Sequence, residues 1–468
     1  MFKFTFAWLI IFPFFVLSQN NWTLQQCIKH ALNNNISLKQ QVLSTEINKN
    51  NTLQSKANVL PNINLGAAHT YNFGQTIDRF TNTFANTMVL SQNFYGSTNV
   101  LLWNGLSQYN NIKANEFNYL SSVENLKQTQ NDISLSVANA FINLAFAEEL
   151  IKISENQLNL SKEQLERTKK LITAGSLAKS YEFDLLAQVA TDESNNVNYT
   201  NNYQIAKLNL MQIMNLDSSL NFEISLPKFE INENNILTND VNSIYEAALK
   251  NQPNIKGATY QTQSAEKNLL AAKGRVSPSI NLSGSIGTGY SGLAKEITSV
   301  NSGTQTIGIT TGGDFVIGPT YEPNYRNKSF SDQFKDNVNK SIGVSINVPV
   351  FNGLQTHTAI QNAKINALNS KLNSDLVKQN LYKTIVQAHT NAKAALKKYL
   401  ANQSNLNAAN ESFKFVQQKF DAGTLNAFDY SNAKNRVFVA ESNLLQAKFD
   451  YIFKLKVLDF YQGKELTL

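Results

Sequence analysis

The chain has 468 residues, 42% of them hydrophobic with 28 Phe and 17 Tyr, so it must bury a large apolar surface and is not disordered. Only 16% of residues are charged, mean hydropathy is −0.29, and beyond Ser18 no apolar run approaches the roughly 20 residues of a spanning helix, which excludes a polytopic helical membrane protein. The formal charge of +7 falls to +6 once Met1–Ser18 is set aside, too diffuse for a nucleic-acid partner.

The first segment reads as an export signal. Lys3 forms a short basic end, Phe4–Leu17 is almost continuously apolar, and Val16, Leu17 and Ser18 before Gln19 resemble a small-residue cleavage site. An apolar stretch of about 14 residues is too short to stay in a bilayer as a spanning helix. The single cysteine, Cys27, excludes an internal disulfide and a cysteine-based metal cluster. It lies well past Ser18, away from any lipidation position, and is expected as a small buried residue on the first mature helix.

The chain is written twice. Ala31, Leu32 and Asn34 recur as Ala248, Leu249 and Asn251, and Pro61, Ile63, Asn64 and Leu65 as Pro278, Ile280, Asn281 and Leu282, all 217 positions apart. Asn99, Val100, Asn104 and Gly105 recur as Asn347, Val348, Asn352 and Gly353, and Ala174, Gly175 and Leu177 as Ala422, Gly423 and Leu425, at an offset of 248. The single change of 31 marks one insertion in the second copy, the Gly- and Thr-rich stretch from Ser291 to Asp336. Residues 19–230 are therefore expected as a first repeat and 231–468 as a second with the enlarged loop.

Each copy carries the same elements in the same order. Thr23 to Asn58 and Val241 to Lys273 read as helices of about 35 residues, each stopped by the Pro61 or Pro278 turn. Strict period two follows. Ile63, Leu65, Ala67, Tyr71 and Phe73 alternate with polar residues and glycine, as do Ile280, Leu282, Ile286 and Tyr290. The returning strand is clearest at Ile342, Val344, Ile346, Val348 and Val350, and Pro349, lacking an N–H, ends its ladder.

After Gly105 and Gly353 the period becomes seven. Val137, Leu144, Ile151, Leu158, Leu165 and Ile172 are spaced as heptads, with Ala140, Ala147, Ser154, Ser161 and Thr168 as a row of small partners. The second copy repeats this with Ile385, Ala392, Tyr399, Leu406, Phe413 and Phe420. Each Asn-Gly to Ala-Gly interval is 70 residues, about 105 Å of helix at about 1.5 Å per residue. A return helix of about 36 residues follows each Ala-Gly turn, and one early plus one return helix nearly equals the long one.

Four strands with one apolar and one polar face cannot close a transmembrane barrel, because the smallest such barrels have about 8 strands and lipid does not tolerate open edges. Several chains must contribute. A sheet packed on the protein's own core would explain the alternation but not the long helices joined to it.

The sequence resembles the TolC family of outer-membrane channel proteins over nearly all of the mature chain. The resemblance is carried by Leu24–Asn35 and its echo Ile244–Pro253, by the junctions Leu102-Trp103-Asn104-Gly105 and Val350-Phe351-Asn352-Gly353, and by the turns Ala174-Gly175-Ser176-Leu177 and Ala422-Gly423-Thr424-Leu425. It implies a mainly α fold with membrane β: coiled-coil helical hairpins and strand pairs in tandem, assembled as a homotrimer with an α-helical barrel across the periplasm and a shared 12-stranded transmembrane β-barrel. It further implies an exit duct for an efflux pump or type I secretion system, partnered by a periplasmic adaptor, an inner-membrane transporter and outer-membrane lipid.

The resemblance places the Ala-Gly turns at the periplasmic tip, where the adaptor docks. Trp103, Gly105, Pro349, Phe351 and Gly353 fall at the barrel–tunnel junction. Asp429 matches the first acidic pore-ring position, whereas the second is Asn432; Tyr181, Glu182 and Asp184 are the corresponding neighbourhood in the first copy. The family's Tyr and Arg that fasten the closed tip correspond to Phe420 and Leu425, whose side chains form no hydrogen bonds. The insertion at Ser291–Asp336 is expected as a larger external loop or strand extension. No P-loop, cofactor motif or catalytic constellation is visible. His30, His69, His357 and His389 are scattered, and Cys27 with His30 gives too few ligands for a metal. A trimeric coiled-coil adhesion protein is the competing reading, and it predicts one uninterrupted stalk. A secreted hydrolase lacks a candidate triad.

Overall fold

The computed structural model describes residues 21–217, 222–225, 240–464 and 466. The expected signal at Met1–Ser18 and the expected boundary between residues 230 and 231 lie outside the described residues. The first series of elements is β1 (Asn21–Trp22), α1 (Leu24–Asn34), α2 (Ile36–Ala57), β2 (Asn62–Asn72), β3 (Thr76–Asp78), β4 (Thr83–Ala85), β5 (Val89–Trp103), α3 (Ser107–Thr173), α4 (Ser180–Met214) and β6 (Glu223–Ile224). The second is α5 (Val241–Asn251), α6 (Pro253–Gly274), β7 (Ser279–Ser291), β8 (Lys295–Ile309), β9 (Phe315–Asn327), α7 (Phe330–Asp336), β10 (Asn339–Asn347), α8 (Gln355–Asp421) and α9 (Ala427–Tyr461).

The heptad stretches are two helices of 67 residues each, α3 and α8, and the return helices α4 and α9 have 35 residues each. The early helices differ from expectation, because each is broken after its third turn. Asn35 leaves α1 with extended ψ, and its side-chain oxygen accepts the Leu38 N–H at 3.2 Å, capping α2. Its amide also donates to the Ile213 carbonyl at 2.8 Å, fixing the break against α4. In the second series Pro253 opens α6, and a residue before proline avoids the helical region, so Gln252 is extended at φ −71°, ψ 127°.

The chain divides into two compact units. One comprises the described parts of Met1–Asn48, Asn118–Thr262 and Ser370–Leu468, and is helical apart from the short parallel pair β1–β6. Its largest core joins α1, α3, α4 and α9 through Cys27, Ala31, Val137, Phe141, Leu144, Leu210, Met214, Phe449 and Ile452. Cys27 is wholly buried, and desolvation pushes its thiol up to about 12, which makes it inert rather than nucleophilic. The small row Ala140, Ala147, Ser154, Ser161 and Thr168 is buried throughout, and its Ser154 and Ser161 hydroxyls donate to the Asn196 and Asp192 side chains of α4. Contrary to the composition reading, α3 contains an 18-residue window apolar enough to cross a membrane by length and composition, but 44% of that window is buried inside the protein. A second core joins α5, α6, α8 and α9 through Ile244, Ala248, Ile255, Leu381, Ile385, Ala392 and Leu458.

The other unit, Lys49–Phe117 with Gln263–Asn369, holds an antiparallel four-stranded sheet in the order β10-β7-β5-β2. Register puts Ile63 opposite Thr98, Leu65 opposite Gly96, Ile286 opposite Lys340 and Val344 opposite Leu282, so one face collects the aliphatic side chains. The other collects Asn64, Ser97, Asn99, Ser283 and Ser285, with Tyr95 filling the space above Gly66. Ile63, Leu65, Ile342 and Val344 are all exposed within the single chain. The Ser291–Asp336 insertion is an ordered hairpin, β8–β9, that forms its own two-stranded sheet, followed by the short helix α7. Its base is tied by Gln333, whose side chain accepts the Ser291 N–H at 2.8 Å and donates to the Ser291 and Lys328 carbonyls at 3.0 and 2.9 Å.

Strand-to-helix turns follow β5 and β10. Gly105 and Leu106 both adopt positive φ, at 65° and 63°, as do Gly353 and Leu354 at 62° each. A leucine in this region is strained by roughly 1–2 kcal/mol. The two glycines differ in surroundings: a Cβ on Gly105 would lie 2.3 Å from the Gly274 carbonyl oxygen, whereas none is met at Gly353 within 4 Å. Gly105→Ala should therefore cost about 3 kcal/mol, combining backbone strain with overpacking, and Gly353→Ala only about 1 kcal/mol. Thermal unfolding followed by circular dichroism measures the difference, and equal losses would disprove the close-approach argument.

Candidate functional site

The two helix reversals are built alike. The Ser176 N–H donates to the Leu171 carbonyl and the Thr424 N–H to the Lys419 carbonyl, at 2.9 and 3.0 Å, while Gly175 and Gly423 take φ of 74° and 72°. This is a glycine-dependent helix stop. Ala174, Gly175, Ser176, Ala422, Gly423 and Thr424 are exposed, and Leu177 and Leu425 are half-buried beneath them. A Cβ at either glycine would meet no atom within 4 Å, so the turns present open surface.

Beneath the turns lies a compact apolar cluster of Leu158, Leu165, Leu185, Val189, Phe420, Ala427 and Tyr430, with Tyr181, Phe413 and Leu425 against it. Phe420 is buried with its ring 4.6 Å from that of Tyr430. Burial, with Asp421 nearby, raises the Tyr430 phenol above its ordinary range. Arg167 on α3 pairs with Asp421 on α8 at 2.9 Å, the two side chains being 54% and 37% exposed, so solvent screens this link.

Asn426 caps α9 by accepting the Asp429 N–H at 2.7 Å. Asp429 is exposed in the first helical turn, where a carboxylate is favoured by the helix dipole, and Asn432 is exposed one turn later. The first-copy neighbourhood is different. Lys179 provides no side-chain cap to α4; Tyr181 and Glu182 are half-buried, and Asp184 is exposed. The junction residues Trp103, Phe351 and Gly353 are exposed, while Gly105 and Pro349 are half-buried.

A buried polar network that no sequence motif marks lies one turn further along α9. Lys434 is 6% exposed and donates to the Gln157 carbonyl at 3.3 Å and the Ser161 hydroxyl at 3.1 Å. That hydroxyl donates to Asp192 on α4, whose other oxygen accepts from Gln188 at 2.9 Å. Burial lowers the Lys434 ammonium to about 8, although Asp192 and Glu163 act in the opposite direction. The network thus joins α9 to both helices of the α3–α4 hairpin. Its only sequence signal was Ser161 in a small row and one Lys at a core-facing position of α9. Among the described residues, no group of three or more His, Cys, Asp or Glu could hold a metal.

The model of the outer membrane efflux protein family matches residues 27–216 and 244–463, one segment in each series of elements. The outer membrane protein TolC of Vibrio cholerae is 22% identical over 413 residues, 87% of this chain and 83% of that protein. The outer membrane efflux protein BepC of Brucella suis is 22% identical over 360 residues, 76% of this chain and 68% of its own. Among solved structures, CusC, whose folding is described with transmembrane channel formation, superposes with TM-score 0.77 at 16% identity, covering 94% of this chain and 92% of that one. With both series matched and the fold shared along its length, the chain belongs to the outer membrane efflux protein family.

Proposed function

We propose that three copies of this chain close one barrel and one helical tunnel, and that the assembly is a passive exit duct of a tripartite efflux pump, docked to a periplasmic adaptor and an inner-membrane transporter. One observation carries this reading. A sheet with an exposed aliphatic face and a polar opposite face ends in two strands, β10 and β2, each paired on one side alone among the described residues. Such edges exist in lipid only when another chain completes the ladder. The exposed stripe Ile365, Leu368, Leu372 and Leu376 on α8 supports lateral association in the same way. The adhesion alternative is disfavoured by the two helix reversals per chain. Electron microscopy of the detergent-solubilised oligomer tests the proposal: threefold rings with a central channel are expected, and a monomer rejects it.

In this duct the reversal turns form the tip that meets the adaptor, and Asp429 lines the narrowest part of the pore. Replacing Gly175 and Gly423 by Val should abolish export while trimers persist on native gels; undiminished export would remove docking from the turns. Three copies of Asp429 around a pore attract cations. Asp429→Asn should accordingly lower the cation-to-anion permeability ratio several-fold in planar bilayers, whereas an unchanged reversal potential would assign that carboxylate to helix capping alone.

The Lys434 network holds α9 against α3 and α4, and its charge state sets a pH dependence. The folded-state value of about 8 lies below the ordinary 10.5. The unfolded chain therefore binds more protons between those values, and the contribution of Lys434 to stability rises with pH across that window. Relative to Lys434→Met, the wild-type protein should gain stability between pH 8 and 10.5. Melting curves of the two proteins that run parallel over that range would contradict the assignment.

A further inference from the structure

Helix α7 is packed on the aliphatic face of the sheet, not in the hairpin that precedes it. Phe94 lies opposite Ala67 in the ladder and so shares a face with Ile63 and Leu65. Phe330 and Phe334 of α7 set their rings 6.2 and 5.5 Å from that of Phe94, and Phe330 lies 5.7 Å from Tyr290 on the same face. The Thr288 hydroxyl donates to the Phe334 carbonyl at 2.7 Å, and the Asn337 amide donates to the Gly289 carbonyl at 2.8 Å. The helix is thus pinned at both its middle and its end. Even so, Phe330 and Phe334 remain 46% and 39% exposed.

Two cations accompany these rings. Lys340 stands on β10 opposite Ile286, on the face that continues as Ile342, Val344 and Ile346, and Lys335 follows Phe334 on α7. Among the described residues neither forms an ion pair or a side-chain hydrogen bond, whereas the neighbouring Lys328 is paired with Asp336. A lysine on a lipid-facing strand is costly in hydrocarbon and acceptable at the boundary, so Lys340 marks the end of the apolar band. Aromatic rings near that level, with one unpaired lysine next in sequence on α7 and another at the boundary of β10, suit an anionic headgroup carried by an acyl chain.

We propose that α7 is an external collar: Phe330 and Phe334 seat at the hydrocarbon boundary, and Lys335 and Lys340 bind the phosphate of an outer-leaflet lipid. This rests on the duct reading, which turns the aliphatic face toward lipid. The insertion then anchors the barrel at the external membrane surface. Charge complementarity selects the phosphorylated lipid over a second copy of the chain, which would have to bring carboxylates to the same place.

The test uses the purified full-length oligomer, wild type and Lys335→Ala/Lys340→Ala, with phosphorylated lipid A or inorganic phosphate added in detergent and bound adducts counted by native mass spectrometry. The wild type should retain lipid A with about thirtyfold higher affinity than the variant. Equal binding by the two proteins overturns the collar, as does phosphate competing as well as the lipid, which would mean a headgroup-only anion site. Loss of the oligomer in the variant overturns it in favour of a subunit contact. Conductance in planar bilayers separates this from the duct reading. Wild-type channels with unaltered lipid binding in the variant reject the collar alone, and a wild type that never conducts rejects the duct itself.

Discussion

The constraint on which the rest of this structure depends is the satisfaction of backbone hydrogen bonds at the two outer strands of a four-stranded sheet. In water, β2 and β10 could leave their outer N–H and C=O groups to solvent. In hydrocarbon each orphaned group costs several kcal/mol, and the aliphatic face carried by Ile63, Leu65, Ile342 and Val344 commits the sheet to hydrocarbon. Neither term can be relieved inside one chain. Association is therefore a condition of folding in the membrane, and β2, β5, β7 and β10, at 11, 15, 13 and 9 residues, are each long enough to cross the hydrocarbon as tilted strands.

The helical unit answers a different requirement. Helices of 67 residues cannot bury a face against themselves, so each must find partners along its whole length. Along α3 the partners are present within the chain, and its small row is covered. Along α8 much of the equivalent face is half-exposed, and Ile365, Leu368, Leu372 and Leu376 are open. This asymmetry between two helices of equal length and like sequence has a simple physical origin: one packs chiefly within its own chain, and the other offers its apolar stripe outward. Sheet edges and helix stripes thus point to the same solution.

Much of this architecture was legible in the sequence because it rests on period. Heptad spacing, strict alternation and glycine punctuation gave the lengths of α3, α8, α4 and α9 to within a few residues and placed both reversals. What escaped reading depends on contacts that period does not encode. The break at Asn35 uses a side chain that bonds Ile213, some 180 positions away, and only its counterpart carried a local clue, Pro253. The positive φ of Leu106 and Leu354 contradicts leucine's own preference and is imposed by the turn around it. The insertion's Gly and Thr content left a loop and a strand extension open; its β-branched and aromatic residues pair as the hairpin β8–β9, and its last segment turns back onto Phe94. Lys434 looked like any helix lysine. Nothing in its neighbours along the chain revealed that Gln157 and Ser161 would meet it.

The packing beside the helix reversals departs from what the resemblance implied. Positions 420 and 425, where the resemblance implied hydrogen-bonding side chains, hold Phe and Leu, and both join an apolar cluster around Tyr430. Apolar contact is strong but non-directional. A cluster of this kind holds α8 and α9 together without fixing how far α9 can slide along α3 and α4. Direction is supplied one turn deeper, where Lys434 meets Gln157 and Ser161, and Ser161 meets Asp192. A buried network of this type adds little net stability, since desolvating the ammonium offsets most of what its partners return. Its effect is register: any displacement of α9 that parts Lys434 from Ser161 and Gln157 strands a charge in an apolar surround, a penalty that rises within the first ångströms. The apolar cluster thus sets which helices touch below the reversals, and the polar network sets where along α3 the last helix sits.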